Sequence, residues 1–410
     1  MMAVLRKKEL LTVLLLLNLI SIVVYFFIAQ RLGYFFRVIP GTLPSEDAWQ
    51  YRQMGNWLLG TGQADCSPTR PFLYPLFISL TSLAGGTFLT WLAQFVLLLS
   101  AVNLSFASAW LICRNKFLAL LPALLLATNF SVIALTYMEL TETLTIFFCA
   151  LLVFFMIRDR EKQGEFSYML RVLLLLALLS VTRPVFFPAF LATAALSLLV
   201  YRKAFVRLRN LMLFSAACLP VLIQSGIMKY HFNTFSLSKI SGITFRQYYF
   251  SEFYREKKNI SFDEARQQAD TMSAERMRQE ILDDVPKASG IFYRLLGYSI
   301  GNVSNFVLPE KDETLGLLHW RINRFCFRLH HWMGLPVLLA LLMLSRRKNN
   351  DLLPFFILAM LTYLVLLACG LSFMQGDRLA VTALPLWSVL YLQAGVLTLN
   401  FFRKQGTLTK

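Results

Sequence analysis

A chain of 410 residues that is 57% hydrophobic and only 15% charged, with a mean hydropathy of +0.57, is too apolar for a soluble domain. Its 40 Lys and Arg against 23 Asp and Glu give a formal charge of +17, but the basic residues stand in short clusters between apolar runs rather than on one face. That is the positive-inside pattern of cytoplasmic loops, and it excludes nucleic acid as the reason for the charge.

Arg6, Lys7 and Lys8 precede an apolar run over 10–29. The run is longer than the core of a signal peptide and lacks a small-residue cleavage site, so it reads as an uncleaved first span with a cytoplasmic N-terminus. Residues 30–87 then form a first outer loop. Within it, a short interfacial helix is expected, entered through Pro44 and Ser45, ended by Gly60 and Gly62, with Asp47 at its N-terminal end. Tyr51, Met54 and Leu58 share one face of that helix, with Trp57 beside them. Pro71 suits the first turn of a second helix, and 72–84 is too short to cross, which makes it interfacial or partly inserted.

Spans are expected over 88–112, 117–137 and 143–157, the last two joined by Met138-Glu139-Leu140-Thr141-Glu142. Basic residues at both far ends (Arg114 and Lys116; Arg158, Arg160 and Lys162) require an even number of crossings between them, which turns the two glutamates outward. As one helix, 169–201 would run to about 50 Å, so it reads as two short spans turning at Thr182-Arg183-Pro184 with Arg183 outside. A span over 210–230 leads to a large outer loop, 231–331, carrying a helix at 261–284 opened by a Ser261/Glu264 capping box. Spans over 332–344, 352–371 and 379–402 follow, for about ten transmembrane helices in a single all-α integral membrane domain with both ends inside.

No two of the six cysteines have CxxC spacing, and His231, His330 and His331 lack an HExxH pattern, so neither a redox nor a zinc motif is supported. Cys66 and Cys326 both fall in outer loops where a disulfide can persist; spacing alone leaves their pairing open. Every unusual charge falls on the outer side: Glu46, Asp47 and Arg70 in the first loop, Glu139 and Glu142 in the second, Arg183 in the third, Asp377 and Arg378 in the last. They are expected to ring one cavity. A plainer reading stands beside this one: Arg183 and Arg378 anchor helix ends or pair with Glu142 and Asp377, Glu139 is a solvated turn residue, and Tyr51 and Trp57 are interface anchors.

The order Asp47, Tyr51, Gly55, Leu58-Leu59 and Gly62, then Arg70-Pro71-Phe72-Leu73-Tyr74-Pro75, resembles the first outer loop of membrane glycosyltransferases of the GT-C fold. The branch it is most similar to includes protein O-mannosyltransferases and the aminoarabinose transferase of lipid A. Leu140-Thr141-Glu142-Thr143-Leu144, Val181-Thr182-Arg183-Pro184 and Asp377-Arg378 with Pro385 follow in the family's order. The resemblance implies a GT-C-like bundle and a polyprenyl-phosphate sugar as donor. It implies an acid at Asp47 that binds or deprotonates the acceptor, and basic residues at Arg70 and Arg378 that hold the donor phosphate. Relatives commonly show Asp-Glu where this chain has Glu46-Asp47-Ala48, and this chain lacks their large soluble C-terminal domain, which leaves the acceptor open between lipopolysaccharide, glycan and protein.

On this reading Asp47 is the catalytic base and Arg70, Arg183 and Arg378 clamp the phosphate, with Glu142 orienting the acceptor or an arginine. Glu46, Tyr51, Glu139 and Asp377 complete the substrate-binding set. No cofactor beyond the lipid-linked donor is required, no Gly-rich nucleotide loop is present, and a divalent metal stays open because acids alone do not define a coordination shell. Two other classes fit parts of the pattern: an O-antigen polymerase or ligase using Arg246, Arg255 or Arg294 of the large loop, and a lipid-linked sugar flippase, which ought to show internal repeats. Short loops and the absence of an organelle signal suggest a bacterial inner membrane with the site facing the periplasm.

Overall fold

A computed structural model of the chain describes residues 2–31, 33, 47–61, 65–301, 353–372 and 378–408, with scattered positions between 314 and 325. Over these residues the fold is all α. The first helices in chain order are α1 (Met2–Arg31), α2 (Ala48–Leu58), α3 (Leu73–Cys113), α4 (Lys116–Ala127), α5 (Phe130–Thr136), α6 (Glu142–Arg158), α7 (Phe166–Thr182), α8 (Phe187–Val200) and α9 (Leu208–Phe232). A more polar group follows, α10 (Ile240–Thr244), α11 (Ser251–Lys258), α12 (Phe262–Thr271), α13 (Ala274–Leu282) and α14 (Val285–Gly301), before α15 (Leu353–Leu371) and α16 (Leu384–Leu408).

Helix α6 sits at the centre, against α3, α7 and α16. Ile146, Cys149, Leu152, Val153 and Met156 are buried along one face, Glu142 to Thr145 are buried all round the first turn, and Phe148, Leu151 and Phe155 on the other side are partly buried against the core. The outer helices do the opposite. α1 exposes Leu15, Leu19 and Val23, and α9 exposes Met212, Leu219 and Leu222. Apolar faces of this length are stable only against lipid, so the protein is an all-α integral membrane protein.

The expected count of about ten spans is not met. Among the described residues five helices are long and apolar enough to cross, or six if α4 and α5, bent by 54°, form one broken span. The expected span 117–137 is split because Asn129 caps α5 through a bond from the Val132 N–H. Helices α6 and α7 have 17 residues each, about 26 Å, a turn short of a 30 Å hydrocarbon core. The segment 332–344 lies outside the described residues.

Other breaks fall where expected. The run Leu73–Cys113 is two helices joined at Gly85-Gly86, where Gly86 takes φ +65, so 72–84 and 88–112 are separate pieces as read. Arg183 ends α7 in an extended conformation, which Pro184 imposes on its predecessor. The Ser261/Glu264 capping box is present, but the single helix expected over 261–284 is two, because Ser273 caps a second start. Together the helical turn Phe245–Phe250 and α11–α14 form a cap with its own core of Phe250, Phe253, Ala265, Ala269 and Ile291. Arg294 ties α14 to Glu252 and Glu256 of α11, which Arg255 also pairs with inside that helix. Cys66 carries a free thiol, raised by burial to about 11, and Cys326 lies outside the described residues.

Helix α2 begins one residue after Asp47 rather than at Ser45, which with Pro44 lies outside the described residues. It lies against the first part of α3, and Gly55 is the contact: a Cβ there would stand 2.0 Å from Ser79 Oγ and 2.5 Å from the Pro75 carbonyl oxygen. The Pro75 oxygen belongs to the α3 backbone and cannot swing away. Gly55→Ala is therefore expected to lift α2 and cost about 1–3 kcal/mol, read as a lower melting temperature of the purified protein in detergent. An unchanged melting temperature would show that α2 is not seated on α3 at this point.

Candidate active site

Five helix termini meet at one end of the bundle, and each delivers a charge. Asp47 stands at the N-cap of α2, Arg70 just before α3, and Glu142 at the first residue of α6; Arg183 lies between α7 and α8, and Arg378 before the turn Ala380–Ala383 that leads into α16. These side chains close on one another directly instead of ringing a cavity. Arg378 donates from Nε to Glu142 Oε1 at 2.5 Å and from Nη2 to Asp47 Oδ2 at 3.0 Å. Arg70 donates from Nη2 to the other Asp47 oxygen at 2.6 Å. Arg183 Nη2 lies 3.9 Å from Glu142 Oε1.

Arg70 has little freedom. Its Nε–H goes to Gln50 Oε1 at 2.8 Å, its Nη1 to the Tyr51 hydroxyl at 3.1 Å, and its guanidinium lies 4.6 Å from the centre of the Tyr51 ring. Tyr51 in turn packs edge-on against Tyr74, whose hydroxyl donates to Gln94 Oε1 at 2.9 Å. The Gln94 amide then donates to the Thr136 and Met138 carbonyl oxygens. This chain of contacts fixes α2, α3 and the turn before Glu142 as one frame.

The two carboxylates differ in surroundings. Glu142 is fully buried, whereas the Asp47 side chain keeps 30% of its exposure. Burial works to raise the Asp47 carboxyl, but the guanidiniums of Arg70 and Arg378 outweigh it and hold the group below the usual carboxylate range. Burial likewise works against the charge of Arg378, and Glu142 with Asp47 more than restores it. Two polar atoms are left over: Glu142 Oε2 and Arg183 Nη1 are buried without a hydrogen-bond partner among the described residues. One accepts and the other donates, so a ligand carrying a hydroxyl and an anionic oxygen matches both.

Of the other residues singled out from sequence, Tyr51 belongs to the network and is buried. Glu139 is not a solvated turn residue; it is 2% exposed, and Arg52 holds both of its oxygens, at 2.7 and 2.5 Å. It serves as a tie between α2 and the 138–142 turn. Glu46 and Asp377 lie outside the described residues. Gln50, Arg52 and Gln94 were missed by sequence reading, since polar residues on a short amphipathic or apolar helix carry no signature of the partner they take. Among the described residues no group of three or more His, Cys, Asp or Glu is placed to hold a metal ion. No protein-family model matches the chain, and no curated protein or solved structure matches it either.

Two outcomes follow from the network. Arg378→Gln strands Glu142 in the core and is expected to cost about 3–5 kcal/mol, while Glu142→Gln with Arg378→Gln costs less than the two single losses added. Strictly additive losses in chemical unfolding would mean that the two side chains do not interact. Because the Asp47 pKa is depressed, its contribution is complete above the unfolded value near 3.9 and is lost as pH falls through the lower folded value. The difference in melting temperature between wild type and Asp47→Asn should thus be flat from about pH 5 to 8 and shrink only below about pH 4. A difference that changes across neutral pH would contradict the assignment.

Proposed function

We propose that the chain is an inverting membrane glycosyltransferase of the GT-C type, transferring a sugar from a polyprenyl-phosphate donor to a hydroxyl of a cell-envelope acceptor. The observation that carries this reading is the meeting of three arginines with Asp47 and Glu142 at one end of the bundle, with Glu142 Oε2 and Arg183 Nη1 left unsatisfied. A phosphate with a sugar attached offers anionic oxygens to the guanidiniums and hydroxyls to the carboxylate. By the charge pattern of the loops, the site faces the outer side of the membrane with both termini in the cytoplasm, and the short loops suit a bacterial inner membrane.

The steps follow from the charges. Donor phosphate competes with Asp47 for Arg70 and Arg378. When the phosphate takes the Nη2 donors of Arg70 and Arg378 in place of the Asp47 oxygens, Asp47 loses the two interactions that weaken it as a base. It then takes the proton of the acceptor hydroxyl as that oxygen bonds to the anomeric carbon. The bond from the anomeric carbon to the phosphate oxygen breaks, the electron pair leaves with the polyprenyl phosphate, and Arg70, Arg183 and Arg378 stabilise the charge that develops there. One displacement inverts the anomeric centre.

The test is transfer of labelled sugar from a polyprenyl-monophosphate donor to cell-envelope extract by the purified, lipid-reconstituted protein. Wild type is expected to transfer, and Asp47→Asn to lose about 10²- to 10⁴-fold, the usual worth of a general base. Arg70→Ala should fall at least as far, since it removes part of the clamp. Full transfer by Asp47→Asn at equal expression would remove the base from that residue. Transfer only from a polyprenyl-pyrophosphate glycan would instead favour the polymerase or ligase class, and lipid translocation without any transfer would favour a flippase.

A further inference from the structure

The turn between α8 and α9, residues 201–207, lies at the far end of α8 from Arg183, about 21 Å along a helix of 14 residues. It carries Arg202, Lys203 and Arg207, and Arg209 follows in the first turn of α9. All four are exposed, and none of their side chains has a hydrogen bond or an ion pair among the described residues. No Asp or Glu stands between Glu165 and Glu252. The turn 160–165, which touches this one, adds no net charge, with Arg160 and Lys162 against Glu161 and Glu165. Arg158 and Arg171, at the same end of the bundle, differ in that both pair with Asp159. Arg207 is the N-cap of α9 and no acid lies in its first turn, so two of the four cations stand where the helix dipole disfavours a cation and favours an anion.

The turn is held in place. The Tyr201 hydroxyl donates to the Gln163 carbonyl at 2.9 Å, and Asn210 Nδ2 donates to the Ala204 carbonyl at 2.9 Å. The rings of Phe166, Phe205 and Phe214 meet edge-on in series, with centroids 5.3 and 5.1 Å apart. A fixed backbone lowers the ordering cost of binding. Apolar side chains stand among the cations: Val206 is 86% exposed and Leu208 70%. The flanking helix faces are apolar and exposed as well, through Leu198 and Leu199 on α8 and Met212 on α9. Cations alone suit any anion; cations interleaved with exposed apolar side chains, between two lipid-facing helices, suit an anion that is itself attached to hydrocarbon. Topology requires only a number of basic residues on this side, and Arg158, Arg160 and Lys162 already supply it.

We propose that the 201–209 turn binds the headgroup of an anionic phospholipid in the leaflet that faces it. The phosphate is held by Arg202, Lys203, Arg207 and Arg209, Val206 sits at headgroup depth, and the acyl chains lie on the exposed faces of α8 and α9. This binding does not depend on the glycosyltransferase reading.

The test is native mass spectrometry of the full chain released from nanodiscs of equal parts phosphatidylglycerol and phosphatidylcholine. Each cation at an anionic headgroup contributes roughly fivefold, so wild type is expected to retain phosphatidylglycerol at least about tenfold over phosphatidylcholine. Arg207→Gln with Arg209→Gln should reduce that preference at least about fivefold, while Arg207→Lys with Arg209→Lys keeps it. Val206→Glu, which sets an acid among the cations at an exposed position, should lower it as well. None of these changes removes a side-chain hydrogen bond or ion pair of the fold among the described residues. Soluble glycerophosphoglycerol at millimolar concentration should not displace the lipid, and Arg70→Ala should leave the preference unchanged. Equal retention of the two lipids, or a preference untouched in the paired Gln variant, would overturn the proposal. Displacement by the soluble headgroup would mean a site for free anions, and loss of the preference in Arg70→Ala would place the lipid at the arginine network; either result would overturn it too.

Discussion

A carboxylate buried at the first residue of the central helix α6 is the constraint on which the rest of the structure depends. Glu142 is removed from water entirely, and such a charge is tolerated only when a cation is brought to it with good geometry. Arg378 meets that need from the far end of the chain, 236 residues away in sequence. It can do so only if α16 enters the bundle beside α6, which it does. The pair therefore does more to specify which helix ends meet than to stabilise the fold, because desolvation cancels much of the attraction.

From that pair the other charges fall into place. Arg378 has a second nitrogen to spend on Asp47, and Asp47 has a second oxygen to give Arg70. The result is an alternating row of acids and bases, Glu142, Arg378, Asp47 and Arg70, that runs from the buried core to the partly exposed rim. Asp47 is the member with the most exposure. The neutral scaffold around it, Tyr51, Tyr74, Gln94 and Gln224, has its hydrogen bonds satisfied and stays put.

Much of this was legible in the sequence, for identifiable reasons. Charges at the ends of apolar runs are rare and costly, so counting crossings between basic clusters placed Asp47, Arg70, Glu142, Arg183 and Arg378 on one side before any contact was known. Gly85-Gly86, Pro184 and the Ser261 box act on the backbone locally, and each break or cap was readable where it stands. What could not be read was pairing and depth. That Arg52 takes Glu139, and that Glu139 is buried rather than solvated, depends on how α2 lies across the 138–142 turn, a tertiary fact with no periodicity of its own. The span count failed for the same kind of reason: apolar composition does not distinguish a 17-residue core helix from one that crosses alone.

The most direct measurement is the binding of a polyprenyl monophosphate, against the uncharged polyprenol of the same length, to the reconstituted protein by native mass spectrometry. If the arginine row is a phosphate clamp, the monophosphate binds at least about tenfold more tightly than the alcohol, and Arg70→Ala removes most of that difference. Equal binding of the two lipids, or a preference for phosphate that survives in Arg70→Ala, would mean that the row of charges holds the helices together and nothing more.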